Sequence, residues 1–214
     1  MIASFDWSTI GLVVFDVDGT LYDQGRLRRR MAVDLVRHSI GTLDLSTVRI
    51  LTRYRRVREQ LGESGAVDFE TTLLRDVAAT TGVSAERIRA IVGDWMERRP
   101  LPHISACRYF GLPDLFERLR AGGKFIGVLS DYPARDKLAA LELAADFVVS
   151  AHDDGVGILK PDPKGLRILM TQARVGPSAT LVIGDRVDRD GAVARCVGAH
   201  ALIRSTRSLD VSFQ

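Results

Sequence analysis

Cysteine is scarce in this chain, and long apolar runs are absent. Cys107 and Cys196 are the two cysteines among 214 residues, and they form neither a disulfide framework nor the spacing of a metal-binding or redox motif. We expect both to be reduced residues of the core. No apolar stretch approaches the length of a membrane span, and Asp6 stands where a secretory signal would be apolar. These features predict a cytoplasmic protein with no membrane partner.

Lysine is absent from one long segment, which is rich in arginine instead. Residues 22–102 contain 15 arginines and 11 acidic residues, although the whole chain carries a net charge of only +3. The clusters at 28–30 and 53–58 could steer an anionic ligand, since a positively charged cleft raises association rates. We expect most of these arginines to be solvated on helix faces. No recognition motif accompanies them, so we expect no nucleic-acid partner.

The order of apolar and helical patterns predicts an α/β fold with an inserted helical segment. From Pro113 onward, short apolar runs alternate with helical patterns, which is typical of a parallel sheet with helices on both faces. Residues 22–102 lack convincing strand runs and show a periodicity that indicates roughly four helices. We therefore predict a Rossmann-like core formed by residues 1–21 and 103–214, and a helical domain formed by residues 22–102.

Two aspartates directly follow the first strand-like run. The apolar run 12–15 suits a strand buried on both faces, and Asp16 and Asp18 come at its carboxyl end, where ligands bind in open α/β sheets. Two carboxylates this close repel each other unless a cation lies between them, and Mg2+ takes carboxylate, water and phosphate oxygens. Gly19 permits a sharp turn. Taken alone, the pair fits a phosphoryl-transfer site or a solvated polar turn.

Three later motifs give the chain a resemblance to the haloacid dehalogenase superfamily phosphatases. The family's first motif is a strand followed by two aspartates in the pattern of Asp16 to Leu21. The others are a Ser or Thr closing a strand, a Lys usually before proline, and a strand ending in Gly-Asp with a further acid. They correspond here to Ser130, Lys160-Pro161 and Gly184-Asp185, followed by Asp188 and Asp190.

The resemblance implies a role for each matching residue. Asp16 would be the nucleophile and Asp18 the general acid and base, while Mg2+ would be held by Asp16, the Asp18 carbonyl and Asp185. Ser130 and Lys160 would bind the phosphate, together with Gly19 and Thr20. Asp190, or less readily Asp188, would support the metal waters or orient Lys160. Residues 22–102 would be a cap that helps to select the substrate, as in phosphoglycolate phosphatase-like members; a purely structural insertion is the alternative.

Three functions fit these residues. The leading one is a Mg2+-dependent phosphatase for a small phosphorylated metabolite, and the alternatives are a sugar phosphomutase and a non-catalytic regulator. A dehalogenase is disfavoured because family dehalogenases lack the second aspartate, present here as Asp18. The run His152-Asp153-Asp154 is interpreted as a polar loop, and Tyr22 as part of a linker to the helical segment.

Overall fold

This computed structural model describes residues 6–43 and 45–204, and the backbone of residues 212–213. In the described residues, six strands form one sheet. The order across the sheet is β3-β2-β1-β4-β5-β6, and β1 to β5 are parallel, whereas β6 pairs antiparallel with β5 at the edge. The strands are β1 (Leu12–Phe15), β2 (Phe125–Ser130), β3 (Phe147–Ser150), β4 (Thr180–Gly184), β5 (His200–Ile203) and β6 (Ser212–Phe213). The predicted Rossmann-like α/β core is thereby confirmed.

Strand β1 lies at the centre of the sheet because all of its side chains are apolar and can be buried on either face. Leu12 and Val14 pack into the core cluster on one face, and Val13 and Phe15 pack into the cluster on the other. Such a continuous apolar run is typical of a strand covered on both sides. Phe15 pairs with Val128 of β2 and Ile183 of β4, which aligns the three carboxyl ends.

Short helices cover the sheet. They are α6 (Leu112–Ala121), α7 (Arg135–Ala140), α8 (Lys164–Ala173) and α9 (Ala192–Val197). Helix α7 is short and ends at Ala140. It ends early because Glu142 adopts a left-handed conformation and the Leu143 amide donates to the Leu138 carbonyl, a hydrogen-bond pattern that terminates helices.

The segment between β1 and β2 is helical. It contains α1 (Gln24–Thr42), α2 (Ser46–Ser64), α3 (Phe69–Thr81), α4 (Ala85–Val92), a π-helical turn (Gly93–Arg98) and α5 (Leu101–Ile104). The carboxylate of Asp23 caps α1 and the hydroxyl of Ser84 caps α4, each by accepting a backbone N–H of the first turn. Helices α2 to α4 bury a second apolar cluster, which Ala151 and Leu159 from the sheet side also join.

The two cysteines, both expected in the core, differ in their exposure. Cys107 is buried, as expected, but Cys196 is exposed, and its assignment to the core is wrong because α9 buries Val193 and Ala194 and turns Cys196 outward. Among the described helices, none combines the length and apolar character needed to cross a bilayer.

Candidate active site

The carboxyl ends of β1, β2 and β4 bring three of the predicted site residues together. Asp16 follows Phe15, Ser130 closes β2 and Asp185 follows β4, so the register of the strands sets them side by side. The backbone N–H of Asp16 donates to the carbonyl of Ile183 over 2.9 Å, which extends the ladder one residue past the strand. The site therefore begins where the sheet hydrogen bonding ends.

Lys160 reaches this edge from the loop before α8. Its ammonium nitrogen lies 2.6 Å from Asp16 Oδ1, 2.6 Å from Asp190 Oδ1 and 3.4 Å from the carbonyl of Leu129. Its backbone N–H donates to Asp131 Oδ1 over 2.8 Å, which fixes the loop. Since Lys160 is only 6% exposed, the three acceptors replace the water that a charged ammonium would otherwise need.

Three carboxylates converge beside the lysine. One oxygen each of Asp16, Asp185 and Asp190 lies within 4.8 Å of the others. Burial raises the pKa of Asp16, opposed by the charge of Lys160 and reinforced by Asp190 and Asp18. Burial and the Asp190 charge also raise the pKa of Asp185. Like charges held this close destabilise one another, so the donor set fits a hard, oxygen-seeking cation.

Two glycines allow these carboxylates to approach the backbone. Gly19 has φ +102°, and a Cβ atom there would lie 2.3 Å from Asp185 Oδ2. A Cβ atom on Gly184 would lie 2.2 Å from Asp190 Oδ2, although the backbone of Gly184 is not left-handed. Both positions lack room for a side chain, so the carboxylate cluster depends on glycine at 19 and 184.

The two predicted hydroxyl groups are buried next to the carboxylates. Thr20 Oγ1 donates to Asp16 Oδ2 over 3.0 Å and so orients the aspartate. Ser130 Oγ accepts the backbone N–H of Tyr132 over 3.2 Å, which leaves its own proton available to another acceptor. Thr20 therefore contacts Asp16 itself, while Ser130 lies at the end of the neighbouring strand.

Asp18 has a different environment from Asp16. Lys137 Nζ lies 2.6 Å and 2.7 Å from its two carboxylate oxygens, and the Tyr22 hydroxyl donates to Oδ1. Burial alone would raise the pKa of Asp18, but the charge and hydrogen bonds of Lys137, together with the Tyr22 hydrogen bond, lower it. Asp18 is therefore stabilised as a carboxylate, whereas the environment of Asp16 opposes ionisation.

Sequence reasoning missed Lys137 and assigned Tyr22 to a linker. Lys137 lies in α7, the helix that follows Ser130. This place in the chain, soon after a motif residue, was the sequence feature that could have indicated a role in the site. Tyr22 stands four residues after Asp18, and its hydroxyl returns to Asp18 because the intervening residues form a tight turn. Neither contact follows from residue spacing alone.

The two candidate acids near the fourth motif are separated by the fold. Asp190 is buried, its Oδ1 contacts Lys160 and its Oδ2 accepts the backbone N–H of Arg186 over 3.1 Å. Asp188 lies outside, where its carboxylate pairs with the Arg186 guanidinium over 2.6 Å. The geometry thus brings Asp190, and not Asp188, to Lys160.

Helix α2 contributes two charged residues above the sheet edge. Arg58 is 4% exposed, and its guanidinium carbon lies 4.0 Å from the ring centre of Tyr132 while the group donates to the carbonyl of Asp131. Arg58 is therefore an exception among the arginines of residues 22–102, most of which we expect to be solvated. Glu59 pairs with Arg186 and Arg189, which reach it from the loop after β4. These contacts enclose a cavity of about 320 Å3 lined by Asp16, Asp18 and Lys160.

Known proteins resemble this chain in sequence. A profile of haloacid dehalogenase-like hydrolases matches residues 10–198. Phosphoglycolate phosphatase of Rhodospirillum rubrum is 30% identical over 199 residues, which cover 90% of this chain and 78% of the relative. Phosphoglycolate phosphatase 1 of Pseudomonas aeruginosa is 25% identical over 177 residues, 81% of this chain but 62% of the relative. The chain thus spans less than two thirds of the Pseudomonas protein.

Solved structures resemble it in fold. The HAD-hydrolase YfnB from Bacillus subtilis, bound to magnesium, superposes with a TM-score of 0.66 at 14% identity, covering 95% of this chain and 92% of that one. The 2-haloacid dehalogenase from Pseudomonas syringae gives a TM-score of 0.61 at 20% identity, covering 94% and 91%. At these identities the likeness concerns the fold alone.

Proposed function

Because the chain belongs to the haloacid dehalogenase-like hydrolases, we propose that it is a Mg2+-dependent phosphatase acting on a small phosphorylated metabolite. The observation that carries this proposal is the contrast between Asp16, packed against Lys160, and Asp18, packed against Lys137. Two neighbouring carboxylates with separate environments can perform separate tasks. Two relatives named phosphoglycolate phosphatase support the same class of reaction.

The cation would be held by Asp16, Asp185 and the backbone carbonyl of Asp18. Asp190 would position Lys160, because its Oδ1 contacts the ammonium group while its Oδ2 accepts the Arg186 amide. A bound Mg2+ screens the repulsion between an anionic nucleophile and an anionic phosphate. The choice of Mg2+ is supported by the oxygen donors of the carboxylate cluster, which suit a hard cation.

In the first half-reaction, Asp16 attacks phosphorus. The bond between an Asp16 carboxylate oxygen and phosphorus forms, the bond to the leaving oxygen breaks, and that oxygen takes a proton from Asp18. The proton requires a neutral Asp18, which the contact with Lys137 disfavours. A phosphate dianion beside Asp18 acts in the opposite direction, because a like charge raises the pKa of a carboxyl group. Substrate binding would thus prepare Asp18 as the acid.

In the second half-reaction, water attacks phosphorus and displaces Asp16. Asp18, now ionised, takes the proton of this water, and phosphate and free Asp16 are released. Lys137 and Tyr22 stabilise the carboxylate and so hold Asp18 in the ionised form that can accept this proton. Both carboxyl groups return to their starting state.

The remaining predicted residues would bind the transferred phosphoryl group. The Lys160 ammonium and Ser130 hydroxyl would stabilise charge on its oxygens in the loose transition state. The backbone N–H of Gly19 would add a donor, whereas that of Thr20 donates to the Val17 carbonyl over 3.3 Å. Asp190 would position Lys160 through the 2.6 Å contact. In this assignment Thr20 also orients Asp16 through its hydroxyl.

Residues 22–102 would serve as a cap over a core of residues 1–21 and 103–214. Arg58 and Glu59 support this division, because both extend from α2 toward the sheet edge and contact core residues there. The cap would exclude bulk water and supply the walls around the leaving group, where substrates of one family differ.

Phosphate release from an aryl phosphate tests the proposal. We expect release to require Mg2+, to be abolished in Asp16→Asn and to be strongly reduced in Asp18→Asn. Wild-type turnover in Asp16→Asn would exclude Asp16 as nucleophile. Conversion of a hexose 1-phosphate to its isomer without phosphate release would instead support a phosphomutase, and inactivity toward both substrate classes would support a regulator.

A further inference from the structure

A second cavity of about 400 Å3 extends from Asp18 away from the carboxylate cluster. It lies between α1, α2 and the π-helical turn on one side and Tyr132 and Lys137 on the other. Asp18, Gln24, Arg28, Glu59 and Tyr132 line both this cavity and the one over Asp16, so Arg28 lies where the two cavities meet. A molecule whose phosphate occupies the first cavity would therefore place its remaining atoms in the second.

Much of the wall of this second cavity is apolar. Its apolar residues come from three helical elements and form one continuous surface: Leu27, Met31, Leu35, Leu51, Trp95 and Met96. An apolar wall gains free energy when it contacts apolar atoms of a ligand in place of water. This surface fits a ligand with a hydrocarbon body better than it fits a polyhydroxylated one.

The charges in the cavity are compensated except on two arginines. Asp18 is paired with Lys137, and Glu59 is paired with Arg186 and Arg189. Arg28 and Arg55 also line the cavity, and neither has a carboxylate within 4.0 Å in the described part of the chain. The wall thus presents two positive charges that lack a negative partner.

The two arginines also repel each other. Partial burial lowers the pKa of Arg55, the nearby Tyr132 opposes this change, and the charge of Arg28 acts in the same direction as burial. Two guanidinium groups that line one cavity offer fixed N–H donors to a bidentate anion, which would also neutralise their charge.

We infer that the leaving group of the substrate has an apolar body and carries a second anionic group, a carboxylate or a phosphate, bound by Arg28 and Arg55. This inference rests on the proposed phosphatase function, since it assigns the first phosphate to the site at Asp16. The enzyme would then prefer phosphate monoesters whose leaving group is apolar and carries a second negative charge. Sugar phosphates, whose leaving groups are neutral, would be poorer substrates.

Binding and turnover of matched aryl compounds test the inference. The probes are phenyl phosphates with a para carboxymethyl, phosphonomethyl or neutral carbamoylmethyl group, and the corresponding benzylphosphonates, which cannot be hydrolysed. We expect the Kd of the anionic benzylphosphonates, measured by calorimetry with Mg2+ present, to be at least about tenfold lower than that of the neutral one. We expect the same preference in kcat/KM, and the phosphonomethyl and carboxymethyl arms identify which anion is preferred.

Variants identify the residues responsible. In the double variant Arg28→Gln/Arg55→Gln, the ratio of anionic to neutral affinities is expected to fall to about one. The control Arg29→Gln/Arg56→Gln makes the same charge change on the same two helices at residues that do not line the cavity, and should keep the wild-type ratio. Thermal unfolding of both variants establishes that they are folded.

The outcomes separate this inference from the proposed activity. Equal binding of anionic and neutral phosphonates to the wild type would overturn the inference even if aryl phosphates are hydrolysed. A preference retained in the Arg28→Gln/Arg55→Gln variant would overturn the assignment to these arginines. Preferential binding without any hydrolysis would support the anion site and contradict the phosphatase.

Discussion

Lys137 Nζ lies within 2.7 Å of both carboxylate oxygens of Asp18, and both side chains are largely buried. The pair places a positive charge next to the proposed acid and base. The two proposed catalytic aspartates therefore each have a lysine of their own, supplied by different loops and helices. This arrangement separates their ionisation, which two adjacent aspartates with shared surroundings could not achieve.

Replacement of Lys137 tests whether its contact with Asp18 tunes the pKa of that carboxyl group. In Lys137→Met the Asp18 carboxylate is left buried without its cation, so its pKa should rise and the acidic limb of the kcat profile should move to higher pH. Because the second half-reaction needs an ionised Asp18, we expect kcat at acidic pH to fall about 100-fold, the lower range for general acid and base contributions. Lys137→Arg keeps the charge and should retain more activity. An unshifted pH profile in Lys137→Met would show that the pair does not tune Asp18.

Adding one methyl group at Gly184 should displace Asp190. The new Cβ atom would lie 2.2 Å from Asp190 Oδ2, so Asp190 must move and Lys160 loses its second anchor. We expect Gly184→Ala to lower kcat/KM at least tenfold and the free energy of unfolding by about 1–3 kcal/mol, typical of overpacking. Gly176→Ala is the matched control, because no described atom lies within 4 Å of a Cβ placed there. Equal kinetics in the two variants would contradict the anchoring role of Asp190.

Mg2+ should stabilise the folded protein in the absence of substrate. The ion would relieve the repulsion among Asp16, Asp185 and Asp190, and at a hundredfold excess over its Kd we expect Tm to rise by roughly 5–10 °C. A chelator should reverse the rise. Asp185→Asn should abolish it, whereas Asp188→Asn, at a carboxylate paired with Arg186 outside the cluster, should retain it. A full Mg2+ response in Asp185→Asn, measured by calorimetry, would show that the ion binds elsewhere.

His152 should make the protein less stable in mild acid. Burial and the nearby charge of Arg58 lower the pKa of His152, against the opposing effect of Glu70. The unfolded chain therefore binds a proton that the folded chain does not, and stability is lost as pH falls below about 6.5. The loss from one such group is at most about 1.4 kcal/mol per pH unit. Urea unfolding on both sides of this pH should show a steeper loss for the wild type than for His152→Gln, and identical slopes would exclude His152 as the source.

The sequence was sufficient to predict the sheet and the placement of the motif residues on it. Strand β1 is apolar throughout, and parallel strands align their carboxyl ends, so Asp16, Ser130 and Asp185 had to meet at one edge. Lys160 reaches the same edge and contacts Asp16, as its place in the motif order suggested. These placements depend on strand order and local pattern, both of which a sequence displays.

Contacts that depend on helix orientation could not be predicted in the same way. Lys137 reaches Asp18 because of the direction in which the short helix α7 leaves β2, and Arg58 is buried because α2 docks over Tyr132. Residue type also misleads here, since an arginine in a basic cluster usually remains in water. Lys160 contacts Asp190 and not Asp188 because residues Val187–Gly191 form a π-helical turn. The spacing of the two aspartates in the sequence does not predict such a turn.

The central position of β1 has a consequence for biosynthesis. Leu12 pairs with Phe125 on one side and Thr180 on the other, so β1 is synthesised before partners that lie more than a hundred residues later in the chain. Such a high contact order slows folding, because long loops must close before the pairing stabilises them. The helices of residues 22–102, by contrast, contact near neighbours and can fold during translation. The apolar strand at the start of the chain is therefore exposed to aggregation and chaperones until β4 emerges.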